Sequence, residues 1–215
     1  MKRIIAVLLT LMMALSLTAC SGDDNAKVAG TWKWNCDITK VMQESVNQGA
    51  GMDLSTDAAV EIVFVLDLNE DGTYTLSVDR DAMKTSLQTY IDSLIPAAVE
   101  ATYQQLEAQG MSRADIDAAM AAEGTTVEGF MKQILDAVID VDQMADGIAE
   151  ESDTGYFRAA KGKLYLSDKE DTFSDDSCAE YKLSGDTMQW TSADADFIDD
   201  MSEIGVELPI QWVKQ

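Results

Sequence analysis

The 215-residue chain contains no histidine. That absence excludes Ser-His-Asp and Cys-His catalysis and removes the commonest side-chain ligand of transition metals. Basic residues are scarce: 15 Lys and Arg stand against 39 Asp and Glu, a formal net charge of −24. A surface this negative repels phosphate backbones, so nucleic acid is not an expected partner. No glycine-rich phosphate loop occurs, and no serine or cysteine has a partner base visible beside it. Long hydrophobic runs are missing too. The one candidate, Ile4 to Leu17, has 14 residues, short of the ~20 that a helix needs to cross a bilayer. Carboxylates are abundant, but groups such as Asp168, Glu170, Asp171, Asp175 and Asp176 read as a solvated acidic loop. No enzymatic activity, cofactor or metal is expected. A carboxylate-dependent hydrolase is the one catalytic class left open.

The apolar run sits between Lys2-Arg3 and Leu17-Thr18-Ala19-Cys20. Basic start, hydrophobic segment and small residues make the pattern of a secretory signal. With a cysteine at the cleavage position, the stretch resembles the lipobox of bacterial lipoproteins. The resemblance implies removal of residues 1–19, acylation of Cys20 and an extracytoplasmic domain. The domain would be lipid-anchored to the outer side of a bacterial cell membrane, or to the outer membrane where there are two. Residues 20–28 would then be the lipidated cysteine and a polar tether. Without Lys2 and Arg3 the net charge falls to about −26, which holds the domain off anionic lipid and leaves anchoring to the acyl chains.

Cys36 and Cys178 remain, in a compartment that permits disulfides. A bridge would close a loop of over 140 residues, for ~4–5 kcal/mol in the chain-entropy account. Alternation opposes it, placing Cys36 on an apolar face and Cys178 on the face of Glu180 and Lys182.

Thr31 to Ile38 alternates as a half-buried strand, with Trp32, Trp34 and Cys36 inward. A short helix is predicted over residues 40–48. Val60, Ile62, Phe64, Leu66 and Leu68, then Tyr74, Leu76 and Val78, flank Asn69-Glu70-Asp71-Gly72, which predicts a β-hairpin. Asp67, Asn69, Asp71 and Gly72 also match half of a calcium loop, but Val78 stands where a bidentate glutamate is required. Period 3.6 then takes over for about 70 residues. Pro96 predicts a break between two helices, and capping boxes at Ser112–Asp115 and Thr125–Glu128 open two more. Two further hairpins and a closing strand over residues 208–213 complete the chain.

About eight short strands in hairpin order predict an α+β fold, an antiparallel meander β-barrel or curved sheet with a helical insertion after the third strand. Gly30-Thr31-Trp32, Asn69 to Tyr74, Gly162 to Leu166 and Leu183 to Met188 resemble repeated elements of lipocalin-like bacterial lipoproteins. The resemblance implies a barrel over residues 29–215, with residues 81–150 inserted. The function expected of such a barrel is non-enzymatic binding, by a monomer, of a small apolar or amphipathic ligand. The insertion departs from the plain lipocalin pattern, and its position between hairpins makes it a candidate lid. Trp32, Trp34, Phe64, Tyr74, Tyr181, Trp190 and Trp212 are the candidate ligand-binding residues, with simple barrel filling as their alternative role. The methionines of the insertion, Met83, Met111, Met120, Met131 and Met144, read either as core filler or as an adaptable apolar surface. The competing function is an envelope interaction module: a filled barrel whose helical face docks another protein.

Overall fold

A computed structural model describes residues 24–50, 54–150, 152–194, 197–198, 201–202 and 204–215. The lipobox and Cys20 lie outside them.

Eight strands form a closed antiparallel barrel in simple sequence order. They are β1 (Gly30–Asp37), β2 (Glu61–Leu68), β3 (Thr73–Val78), β4 (Asp153–Ala160), β5 (Lys163–Ser167), β6 (Cys178–Ser184), β7 (Thr187–Ser192) and β8 (Ile210–Lys214). Closure comes from β1 against β8, where Trp32 pairs with Lys214 and Lys33 with Val213. Alternation does what the sequence requires. Trp32, Trp34 and Cys36 turn inward on β1, and Met188 and Trp190 on β7, as do Ile210 and Trp212 on β8. The architecture is the expected lipocalin-like barrel with an insertion after the third strand.

Six helices accompany the barrel among the described residues: α1 (Asn25–Val28), α2 (Thr39–Ala50), α3 (Arg80–Ala108), α4 (Arg113–Ala122), α5 (Val127–Val138) and α6 (Val141–Ala149). Turns of two to four residues join β2–β3, β4–β5 and β6–β7 at one end of the barrel. Every long connection, including α2 and the whole insertion, leaves from the other end. The tight-turn end is stoppered by α1, whose Val28 is fully buried and accepts a 2.7 Å hydrogen bond from the Trp32 indole N–H. Part of the predicted tether, Asp24 to Val28, is therefore barrel structure.

Pro96 does not end a helix. α3 runs 29 residues through it. The proline forfeits one backbone hydrogen bond, to the Asp92 carbonyl. The buried stripe of Met83, Leu87, Tyr90, Ile91, Leu94, Ile95 and Ala98 continues across it and holds both halves in one line. Asp79 caps this helix, accepting from the Ala82 N–H at 3.1 Å while its other carboxylate oxygen takes Lys33 at 2.9 Å. The capping box of α4 is as predicted, Ser112 and Asp115 exchanging hydrogen bonds. The cap of α5 is Thr126 rather than Thr125, its hydroxyl accepting from the Gly129 N–H.

Each of the four cations of the insertion fastens an outer helix to α3. Arg80 bonds Asp146 and Lys84 bonds Asp142, both on α6. Arg113 of α4 reaches Glu100 at 2.6 Å and Glu107 at 3.1 Å, and Lys132 of α5 reaches Asp92 at 3.0 Å. These half-exposed clips add to the shared apolar packing that brings the helices together. No helix among the described residues is long and apolar enough to cross a membrane.

Candidate functional site

The seven predicted aromatics converge inside the barrel, and they fill it. Phe64 stacks on Trp34 with centroids 4.9 Å apart, Trp34 meets Trp212 at 5.7 Å, and Trp212 meets Trp190 at 5.1 Å. Trp190 then meets Phe197 at 5.7 Å. These rings come from β2, β1, β8 and β7, which are consecutive in the barrel, so they form a continuous aromatic lining over half its circumference. Trp212 is wholly buried, and Trp32, Tyr74, Tyr181 and Trp190 are buried with it. The remaining wall is built for fit: Gly155, Ala159 and Ala179 point inward on β4 and β6, leaving room for the opposite rings. At Gly155 that room is used by Tyr74, whose hydroxyl reaches past to donate to Asp153 at 2.6 Å. A Cβ on residue 155 would strike the Ser167 carbonyl and come within 2.9 Å of the Tyr74 ring.

The other end of the core is closed as well. Met83, Leu87, Tyr90 and Leu94 of α3 belong to the same continuous buried cluster as Trp34, Cys36, Ile38 and Ile62 of the barrel. The insertion is therefore a plug with its own share of the core rather than a flap over an empty mouth.

The two cysteines stay apart as free thiols. Cys36 faces the interior of β1, where burial and then the neighbouring Asp37 push its pKa up to about 11. Cys178 opens β6 opposite Tyr165 and its thiol donates to the Asp175 carbonyl. Inward and outward faces of strands that are not neighbours cannot be bridged, so the possible disulfide is absent, as the alternation of the two strands required. The Asp67-to-Gly72 motif is a turn. Asp67 accepts from the Thr31 hydroxyl, Asn69 donates to the Thr73 hydroxyl, and Asp71 accepts from the Thr73 N–H and hydroxyl. Those bonds hold the Asp71 carboxyl below its ordinary range. Gly72 takes the φ of +87° that the reversal needs.

Space for a ligand lies elsewhere, at the end of the barrel with the long connections. A pocket of about 450 Å³ is framed by α2, α3, α5 and α6. Met42, Val46, Leu54, Ala98, Met131, Ile134, Leu135, Ile139 and Met144 line it, with Ser45 as the one polar side chain among the described residues. Among the described residues no carboxylate enters it, although the molecule carries 39. Ile134 stands 39% exposed at its rim. α5 presents Val127 and Met131 inward at i and i+4, while Asp140 caps α6 and turns Met144 back toward the same space. Three methionines, unbranched and polarizable, give these walls latitude to reshape.

A second, smaller cavity of about 320 Å³ sits on the barrel rim between β3 and β7. Tyr74 and Trp190 meet three carboxylates there, Asp153, Asp168 and Asp194. Burial, and then the bond to Asp153, push the Tyr74 hydroxyl well above its ordinary pKa, so it remains a donor.

Of the seven predicted ligand-binding aromatics, then, Tyr74 and Trp190 border the rim cavity, as does Cys178, and none lines the apolar pocket. Met131 and Met144 were visible as helical apolar positions. Met42, Leu54 and Ile139 were not singled out, because no local pattern joins segments about 100 residues apart in sequence. No protein-family model, curated protein or solved structure matches the chain.

Proposed function

We propose that this chain is a lipid-anchored, extracytoplasmic binding protein whose ligand is a small apolar or amphipathic molecule held among the helices rather than inside the barrel. One observation carries the reading: a methionine-rich pocket of about 450 Å³ with no charged side chain among the described residues that line it, in an otherwise acidic surface. That volume lies within the range of small-molecule sites, and the lining supplies burial without a fixed polar pattern. The barrel supports the pocket and takes no ligand itself. The role is binding, not catalysis.

Native mass spectrometry on the leaderless chain, recovered from its own cells, tests this. A discrete added mass that disappears in the Ile134→Glu variant is the expected result. A bare wild-type mass with no uptake of apolar fluorophores would end the ligand reading. The second reading, a docking module, draws on Phe130 and Ile134, which lie one turn apart on α5, 38% and 39% exposed. It takes precedence if the wild-type chain stays bare.

A further inference from the structure

We propose that the tight-turn end of the barrel rests against the bilayer and that the acidic, helix-covered end points away from it. The inference rests on acylation at Cys20 and adds an orientation to it. The first described residues are fastened to the β4–β5 turn. The Asp24 N–H donates to the Ala159 carbonyl at 2.6 Å, the Asp24 carboxylate accepts from the Lys161 N–H at 3.2 Å, and the Asn25 side chain accepts from the Ala159 N–H at 2.6 Å. Only Ser21, Gly22 and Asp23 separate Cys20 from this fastening. Fully extended, that span reaches ~14 Å at ~3.5 Å per residue. An eight-residue strand such as β1 is ~26 Å long, so the far end of the barrel lies beyond the reach of the anchor.

Charge acts in the same direction. Three of the four connections at the far end, spanning residues 37–61, 79–150 and 193–209, hold 25 acidic residues against 5 basic ones. An anionic leaflet repels that end. The tight-turn end is nearly balanced instead, exposing Lys27, Lys161 and Lys182 against Glu70, Asp71 and Asp186, with Leu183 exposed beside them. The apolar pocket, built from the far-end helices, consequently opens to the aqueous side, and its ligand arrives from there rather than from the anchoring membrane.

The full chain, processed and acylated, would carry Cys178→Ser and one fluorophore, on Asp186→Cys in the β6–β7 turn or on Gln109→Cys at the end of α3. It would be reconstituted in phosphatidylcholine–phosphatidylglycerol vesicles containing a headgroup spin-labelled lipid as quencher. Quenching several-fold stronger at 186 than at 109 is expected. Equal or reversed quenching, with the protein sedimenting with vesicles, overturns the orientation alone. Failure of the wild-type chain to sediment, or sedimentation undiminished in Cys20→Ala, removes the anchor and the orientation with it.

Discussion

At one end of the barrel the strands are joined by turns of two to four residues, and the barrel they hold in register is packed with indole rings. At the other end the long connections carry the acidic surface, the four inter-helix clips and the pocket lined by apolar side chains. The contrast is one of constraint. A tight turn fixes strand register and leaves no chain to spare, so the core it closes is filled by rings that fit one arrangement. A long connection must bury its own apolar face, and where four helices share one stripe of methionine, isoleucine and leucine, the fit is looser and space remains.

The largest expected effect falls on the packed side. Trp212→Ala, at a fully buried position, should lower unfolding free energy by ~3–5 kcal/mol, read from urea denaturation. Gly155→Ala is next, because the added methyl meets the Ser167 carbonyl and the Tyr74 ring. Overpacking of this kind costs ~1–3 kcal/mol, and loss of the Tyr74–Asp153 bond should show in the tyrosine's ultraviolet spectrum. At the junction of the two regions, Asp79→Ala removes the cap of α3, for ~1 kcal/mol, with the loss concentrated in amide exchange of the first turn of that helix.

Acid should separate the regions further. Arg113 holds the Glu100 carboxyl, and Arg80 the Asp146 carboxyl, below their ordinary values. A carboxylate whose folded pKa is lowered stabilises fully above its unfolded value, near 4, and stops doing so as pH falls through the folded value. As pH drops below ~4, amide exchange in α4 and α6 should accelerate before the near-ultraviolet dichroism of the tryptophans changes. Simultaneous loss of both signals would mean that the clips do not set the stability of the outer helices. Smallest in stability is Ile134→Glu: a rim substitution within about 0.5 kcal/mol of wild type that nevertheless abolishes uptake of an apolar probe.

The strands were legible because alternation is local. Val60 to Val78 encodes its hairpin in adjacent residues, and the barrel follows from hairpins in series. The aromatics were legible as inward-facing, with filling as one of their two readings; that filling holds depends on Gly155, Ala159 and Ala179 standing across from them. Pro96 misled for a physical reason. One missing hydrogen bond is a local penalty, whereas the buried residues on either side are held by tertiary packing that the local pattern does not display. The pocket was least legible of all. A stripe such as Val127 and Met131 reveals which face is buried, not that α2, contributing Met42 and Val46, would meet it and stop short of closing the gap.

The claim that the helices, not the barrel, hold the ligand is tested most directly by methyl resonances of methionine. Met42, Met131 and Met144 line the pocket, while Met188 is wholly buried inside the barrel. With ¹³C-methyl-labelled chain titrated with an apolar fluorophore, the first three resonances should shift together and saturably while Met188 stays fixed. A shift of Met188 with the pocket methionines unmoved would place the ligand in the barrel and contradict the account.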